Sequence, residues 1–103
     1  MCIKCKEYID AEFKNPQLSV TGIGDAIGMY HEYLSKLFRR WYGISMPEYI
    51  AQVRIRNCKI ELRESNKSIS EIAEANGFAN SSVFIRTFKK YEGITPGTYR
   101  DMA

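Results

Sequence analysis

Tyr33-Leu34-Ser35-Lys36-Leu37-Phe38-Arg39-Arg40 occurs twice in this chain, in two spellings. Moved along by fifty positions, it falls on Val83-Phe84-Ile85-Arg86-Thr87-Phe88-Lys89-Lys90. The match continues downstream: Gly43-Ile44-Ser45 meets Gly93-Ile94-Thr95, and Tyr49 meets Tyr99. Upstream the offset becomes forty-nine, pairing Gly28 with Gly77, Gly24 with Ala73 and Ile23 with Ile72. One residue has therefore been added between Gly77 and Phe84. Apolar, basic and glycine positions agree together, so the chain reads as two copies of one helical unit. The expected division is 1–46 for the first unit, 47–64 for a linker helix and 65–103 for the second unit.

Each copy has helical spacing. Leu34, Leu37, Phe38 and Trp41 recur at three and four residues and predict an inward face on a helix from about His31 to Tyr42. Phe84, Thr87, Phe88 and Tyr91 do the same from about Ser81 to Glu92. A shorter helix precedes each one. The first is capped by Ser19 and carries Val20, Ile23 and Ile27. The second opens on the capping-box pattern Ser68-x-x-Glu71, carries Ile69, Ile72 and Ala73, and closes at Asn76-Gly77. Gly22 and Gly24 are each expected to loosen the first of these short helices by roughly 1 kcal/mol relative to alanine. Ahead of them, Cys2, Cys5, Ile9 and Phe13 predict an opening helix that stops at Asn15-Pro16. Between the units a helix led by Pro47 carries Tyr49, Ile50, Val53, Cys58 and Leu62. A short last helix starts at Pro96. Apolar–polar alternation never persists, so the expected fold class is all-α, with seven helices and no strand.

Composition narrows the function classes. The chain has 103 residues, 45% hydrophobic and 26% charged, which is one ordinary globular domain. No apolar run reaches the ~18–20 residues of a membrane span, and the N-terminus has no signal-peptide core. The expected location is cytoplasmic. Net charge is +3. Gly28–Gly43 and Gly77–Gly93 each carry net +2, and the remainder carries net −1. The positive excess thus sits in the two repeated segments, where it serves either as solvated surface or as a charged contact face.

A short helix, a glycine turn and a basic amphipathic helix make the layout of a helix-turn-helix. The first helix must cross the second closely, which favours a small residue at the crossing, and Gly24 and Ala73 hold matching positions. The second helix must be anchored by one face and offer the other to a major groove about 12 Å wide. The outward face of the first copy offers Glu32, Ser35, Lys36 and Arg39. That of the second offers Ser81, Ser82, Ile85, Arg86 and Lys89. Lys and Arg suit guanine, Glu can accept from cytosine, Ser pairs with several bases, and Ile85 can touch a thymine methyl. Arg40 and Lys90, further round, suit phosphates and would add affinity rather than sequence choice.

Ser70-Glu71-Ile72-Ala73-Glu74-Ala75-Asn76-Gly77-Phe78, followed by Phe84-Ile85-Arg86-Thr87-Phe88-Lys89-Lys90, Gly93-Ile94-Thr95-Pro96 and Tyr99-Arg100, resembles the signature of AraC/XylS-type transcription regulators. Tyr33 to Phe38, with Gly43 and Tyr49-Ile50, resembles the family's less uniform first helix-turn-helix. Glu7-Tyr8-Ile9 and the linker helix look most like the C-terminal output domains of YesN-type response regulators. The resemblance implies two helix-turn-helix units, a homeodomain-like pair, entering successive major grooves of double-stranded DNA. It places base reading on Glu32, Ser35, Lys36, Ser81, Ser82, Ile85 and Arg86, and phosphate contacts on Arg39, Arg40, Lys89 and Lys90. The chain is then expected to be either a stand-alone small regulator or the output domain of a longer one, in which the resemblance implies a receiver or ligand-binding domain ahead of it and RNA polymerase as a further partner. The isolated domain is expected to be a monomer. The sequence departs from the family pattern at four places. Tyr30 and His31 stand where a small capping residue and proline are usual. Gly24 replaces alanine, Cys58 replaces alanine, and Glu61 replaces an apolar residue.

Other chemistries have little to stand on. Cys2-x-x-Cys5 would be a redox pair or half a zinc site, but zinc needs about four ligands and only Cys58 and His31 remain, on other helices. His31 is the one histidine, without a nucleophile–base constellation around it. No metal, cofactor or catalytic residue is expected. The competing reading is a helical protein-interaction module that sets its basic faces against an acidic partner.

Overall fold

The computed structural model describes residues 2–103, and side chains from residue 3 onward. Among the described residues seven helices follow one another: α1 (Cys2–Glu12), α2 (Val20–Ile27), α3 (His31–Tyr42), α4 (Met46–Glu64), α5 (Ile69–Ala75), α6 (Ser81–Glu92) and α7 (Pro96–Met102). No strand occurs among the described residues. The all-α expectation holds. The linker helix begins at Met46, one residue before the expected start.

Local chemistry sets the boundaries. Ser19, Ser45, Ser68, Asn80 and Thr95 each accept a backbone N–H at the start of their helix. The capping box is complete: Glu71 accepts from the Ser68 backbone while Ser68 accepts from the Glu71 backbone. This exchange holds the Glu71 carboxyl below its ordinary value. Tyr30 opens α3 without any side-chain cap. α3 and α6 both close on a glycine in the left-handed region, Gly43 at φ 77° and Gly93 at φ 81°.

The core is two cores. Cys5, Ile9, Ile23, Leu34, Phe38, Met46, Tyr49, Ile50 and Val53 form the first. Ile55, Cys58, Leu62, Ile72, Ala73, Phe78, Phe84 and Phe88 form the second. Helix α4 serves both and hands over between Val53 and Ile55. At ~100° per residue, its Tyr49–Ile50–Val53 face and its Ile55–Cys58–Leu62 face lie about 160° apart. The two lobes therefore pack on nearly opposite sides of one helix, giving an elongated body of 42 × 22 × 21 Å. Two arginines cap helix ends at long range: Arg54 at the end of α1, and Arg100, which donates to the carbonyls of Leu62 and Ser65 at the end of α4.

Three expectations need correction. Trp41 does not face the core; it is 73% exposed. In the last turn of α3 the inward place is taken by Tyr42, whose ring packs on Phe38 at 4.7 Å. Gly24 is the small residue at the close crossing, as expected, but the loosening expected of it relative to alanine does not follow. A Cβ there would stand 2.7 Å from the Met29 carbonyl oxygen and 3.2 Å from the His31 Cα. The one-residue-shorter turn of the first unit draws Met29 down onto α2, and only a residue without a side chain fits beneath it. Phe13, expected on α1, lies just past its end and is half-buried against the first core. The side chain of Cys2 lies outside the described residues.

Candidate nucleic-acid interface

In each lobe a short helix packs across a longer basic one, α2 on α3 and α5 on α6. Leu34 and Phe38 in α3, and Phe84 and Phe88 in α6, are fully buried and fix the rotation of each helix. The residue two positions after the first anchor lies ~200° round the helix, on the far side. That residue is Lys36 in α3 and Arg86 in α6, and both are exposed. Glu32, Arg39 and Arg40 share the exposed arc of α3; Ser82, Ile85, Lys89 and Lys90 share that of α6. The repeat seen in the sequence is thus a repeat of surfaces.

The members of this set are not equally available. The hydroxyl of Ser35 donates to the His31 carbonyl at 2.8 Å and is half-buried, so its proton is committed to its own helix. Ser81, the first residue of α6, is also half-buried. Arg39 stands 3.6 Å from the Glu48 carboxylate, with its side chain 67% exposed, a surface pair worth little to stability. Lys90 lies over the Tyr91 ring at 5.6 Å, and Ile85 is 37% exposed. Among the described residues, Lys36 and Arg86 have no hydrogen-bond or ion-pair partner. They project bare cationic groups whose solvation a phosphate or a guanine edge can replace.

The C-terminal halves of α3 and α6 carry Arg39-Arg40 and Lys89-Lys90, which also complement the negative ends of their helices. The N-terminal half of α3 carries Glu32 and that of α6 carries Ser81 and Ser82, so the two tips differ in hydrogen-bonding character while their shafts match. Sequence reasoning missed Arg54 and Asn76 because their contacts join residues far apart in the chain. No cluster of three or more His, Cys, Asp or Glu residues able to hold a metal occurs among the described residues. No described helix is long and apolar enough to cross a membrane.

A family model described as a helix-turn-helix domain matches residues 23–102. The uncharacterized HTH-type transcriptional regulator YtdP of Bacillus subtilis is 40% identical over 92 residues; the match takes in 89% of this chain and 12% of YtdP. This chain thus spans a small part of that relative's length. Two solved structures superpose closely. The C-terminal domain of AraT, a response regulator from Geobacillus stearothermophilus, gives a TM-score of 0.97 at 25% identity, covering 99% of this chain and 84% of that one. The C-terminal domain of the two-component response regulator YesN from Fusobacterium nucleatum gives 0.90 at 31% identity, covering 93% of each chain. With the duplicated units, the two-core architecture and these matches together, the chain belongs to the AraC/XylS-type family of helix-turn-helix domains.

Proposed function

We propose that this domain binds double-stranded DNA sequence-specifically in transcription regulation, with α3 and α6 entering successive major grooves on one face of the duplex. The observation that carries the reading is the repeated exposure of Lys36 and Arg86 opposite buried anchors, on two lobes strung along a 42 Å body. One DNA turn is ~34–36 Å, which such a body can span. Glu32, Lys36, Ser82, Ile85 and Arg86 read base edges, with Ser35 and Ser81 in lesser, acceptor-type roles. Arg39, Arg40, Lys89 and Lys90 hold phosphates. Family membership disfavours the protein-interaction reading, in which the same basic faces meet an acidic partner.

The likeness to response-regulator output domains supports a place at the C-terminal end of a longer cytoplasmic regulator, behind a receiver or ligand-binding domain. RNA polymerase is a partner such a regulator would engage. The isolated domain acts as a monomer, because its two units already supply two groove contacts.

The test is selection of binding sites from a random duplex pool, followed by fluorescence anisotropy on the selected and scrambled duplexes. The expected result is a site made of two submotifs about one turn apart, with affinity falling steeply as salt rises. Equal affinity for selected and scrambled duplexes would overturn sequence reading.

A further inference from the structure

The two lobes do not share a core. Their seam is a crevice lined by Leu18, Val20 and Pro47 on one side and by Val83 and Thr87 on the other. Besides the backbone of α4, which runs through both cores, Arg54 crosses it, on α4 at the handover between them. Its Nε donates to the Phe13 carbonyl at 2.7 Å, and its Nη2 donates to the Asn15 carbonyl at 2.9 Å. Both acceptors belong to the first lobe. The same guanidinium lies 6.0 Å from the centre of the Phe78 ring, which is buried in the second core.

Gly77 closes the contact from the second lobe. A Cβ at Gly77 would stand 2.6 Å from the Phe13 carbonyl oxygen and 2.8 Å from Arg54 Nε. Its φ of 87° also lies in the region that favours glycine. The backbone of the α5–α6 turn is therefore pressed directly onto the Arg54–Phe13 hydrogen bond. The contact chain is continuous: α3 packs on α1, the end of α1 on Arg54, and Arg54 on Gly77 and Phe78, which lead into α6.

We infer that Arg54 is a positioning residue that, with α4 setting the distance between the lobes, locks their relative orientation and so the phase of α3 and α6, and thereby the spacing between the two submotifs this domain accepts on DNA. The inference rests on the DNA-binding reading above for its consequence, though not for its geometry. A rigid pair of prongs must match a fixed number of base pairs. Each base-pair step moves the second submotif by ~3.4 Å and turns it by ~34°. A loosened seam tolerates that shift, and a fixed one does not.

The experiment uses the 103-residue chain as wild type, Arg54→Gln and Arg54→Lys. Affinity is measured for duplexes whose submotifs are separated by the selected spacing, one base pair more and one fewer, and for duplexes holding a single submotif. Wild type should lose about tenfold or more on either change of spacing, and Arg54→Gln about threefold or less, both binding a single submotif alike. Arg54→Lys, which keeps the charge but lacks the two-pronged donor, should fall between them. Residual dipolar couplings on the free proteins give a DNA-independent readout: both lobes should fit one alignment tensor in wild type and require two in Arg54→Gln. The proposal is overturned if Arg54→Gln weakens every duplex by the same factor, or if its two lobes still fit one tensor. If wild type shows no sequence preference, the DNA-binding reading fails, and the dipolar couplings alone decide whether Arg54 fixes the lobes.

Discussion

Asn76, fully buried, donates its side-chain amide to the Glu61 carboxylate, tying the end of α5 to the linker helix. The same amide donates to the Ile72 carbonyl at 2.8 Å, while Asn57 donates to its oxygen. Lys67 donates to the other Glu61 oxygen at 3.0 Å. Burial disfavours the Glu61 anion, but the hydrogen bonds from Asn76 and Lys67 outweigh it and hold the carboxyl below its ordinary value of 4.5. A depressed carboxylate stabilises the fold above its unfolded value and loses that contribution as pH falls through the folded value. Glu61→Gln should therefore cost about 1–3 kcal/mol at pH 7. The difference between variant and wild type should shrink below pH 4.5. Urea unfolding across pH checks this, and a pH-independent difference would contradict it.

Lys36 and Arg86 occupy matching positions, yet Arg86 has the forked donor that suits guanine O6 and N7. Arg86→Ala should weaken the selected site by about 1–3 kcal/mol and leave random DNA nearly unaffected. Lys90→Ala should weaken all duplexes similarly and lower the salt slope by about one. Equal losses on selected and random DNA for both variants would refute the division between base reading and phosphate contact.

Helix propensity alone favours alanine over glycine at position 24 by about 1 kcal/mol. The crossing reverses that sign, because the added Cβ would meet backbone atoms of Met29 and His31, which cannot rotate away. Gly24→Ala should destabilise the domain by about 1–3 kcal/mol. Gly22→Ala is the control: its Cβ would meet only the Ser19 hydroxyl oxygen, at 3.2 Å. It should be neutral or stabilising. Thermal unfolding of the two variants separates propensity from packing.

What could be read in advance was what local spacing encodes. Ser68 and Glu71 announce their capping box within four residues, and the buried set Leu34, Phe38, Phe84 and Phe88 follows from helical periodicity. From those anchors the exposure of Lys36 and Arg86 follows as well. Trp41 was misjudged because periodicity gives an angle but not where a helix outruns its core. The matching Gly24 and Ala73 announce a close helix crossing, and only the size of the penalty at Gly24 was misjudged, because the propensity rule does not see the turn folding back over it. Ser35 looked available because its hydrogen bond to His31 depends on rotamer choice. The roles of Arg54 and Asn76 were invisible for a different reason. Apart from the local bond of Asn76 to Ile72, their partners lie fifteen to forty-one residues away, and only the assembled fold brings them together.

Cys58 is buried in the second core, where burial chiefly, with the nearby Glu61 charge adding, pushes its thiol up to about 12 against the opposing influence of Arg54. Both access and thiolate fraction are suppressed. Iodoacetamide at pH 8 should leave Cys58 unmodified in the native protein and label it readily in urea. If labelling requires unfolding at a cost of about 5 kcal/mol, the native rate falls by a thousandfold or more. Peptide mapping by mass spectrometry reads the difference. Equal rates in both conditions would mean that the second core opens freely around α4.

Tyr30 and Asn80 hold equivalent positions at the starts of α3 and α6 and do different things. Asn80 accepts the Val83 N–H at 2.9 Å, whereas Tyr30 offers its helix no side-chain bond. The Tyr30 ring is 66% exposed and rests against His31 at 5.0 Å, so little packing is lost on removing it. Its backbone is extended, and its carbonyl already accepts the Leu34 N–H, so the position is a true N-cap awaiting an acceptor. Tyr30→Asn should stabilise the domain by about 0.5–2 kcal/mol. For a chain of this size that corresponds to several degrees in Tm, at roughly 4–8 °C per kcal/mol. Binding to the selected duplex should be unchanged, because no base-reading residue is altered. A fall in Tm would show instead that the tilted Tyr30–His31 contact holds the shorter turn in place and outweighs the missing cap.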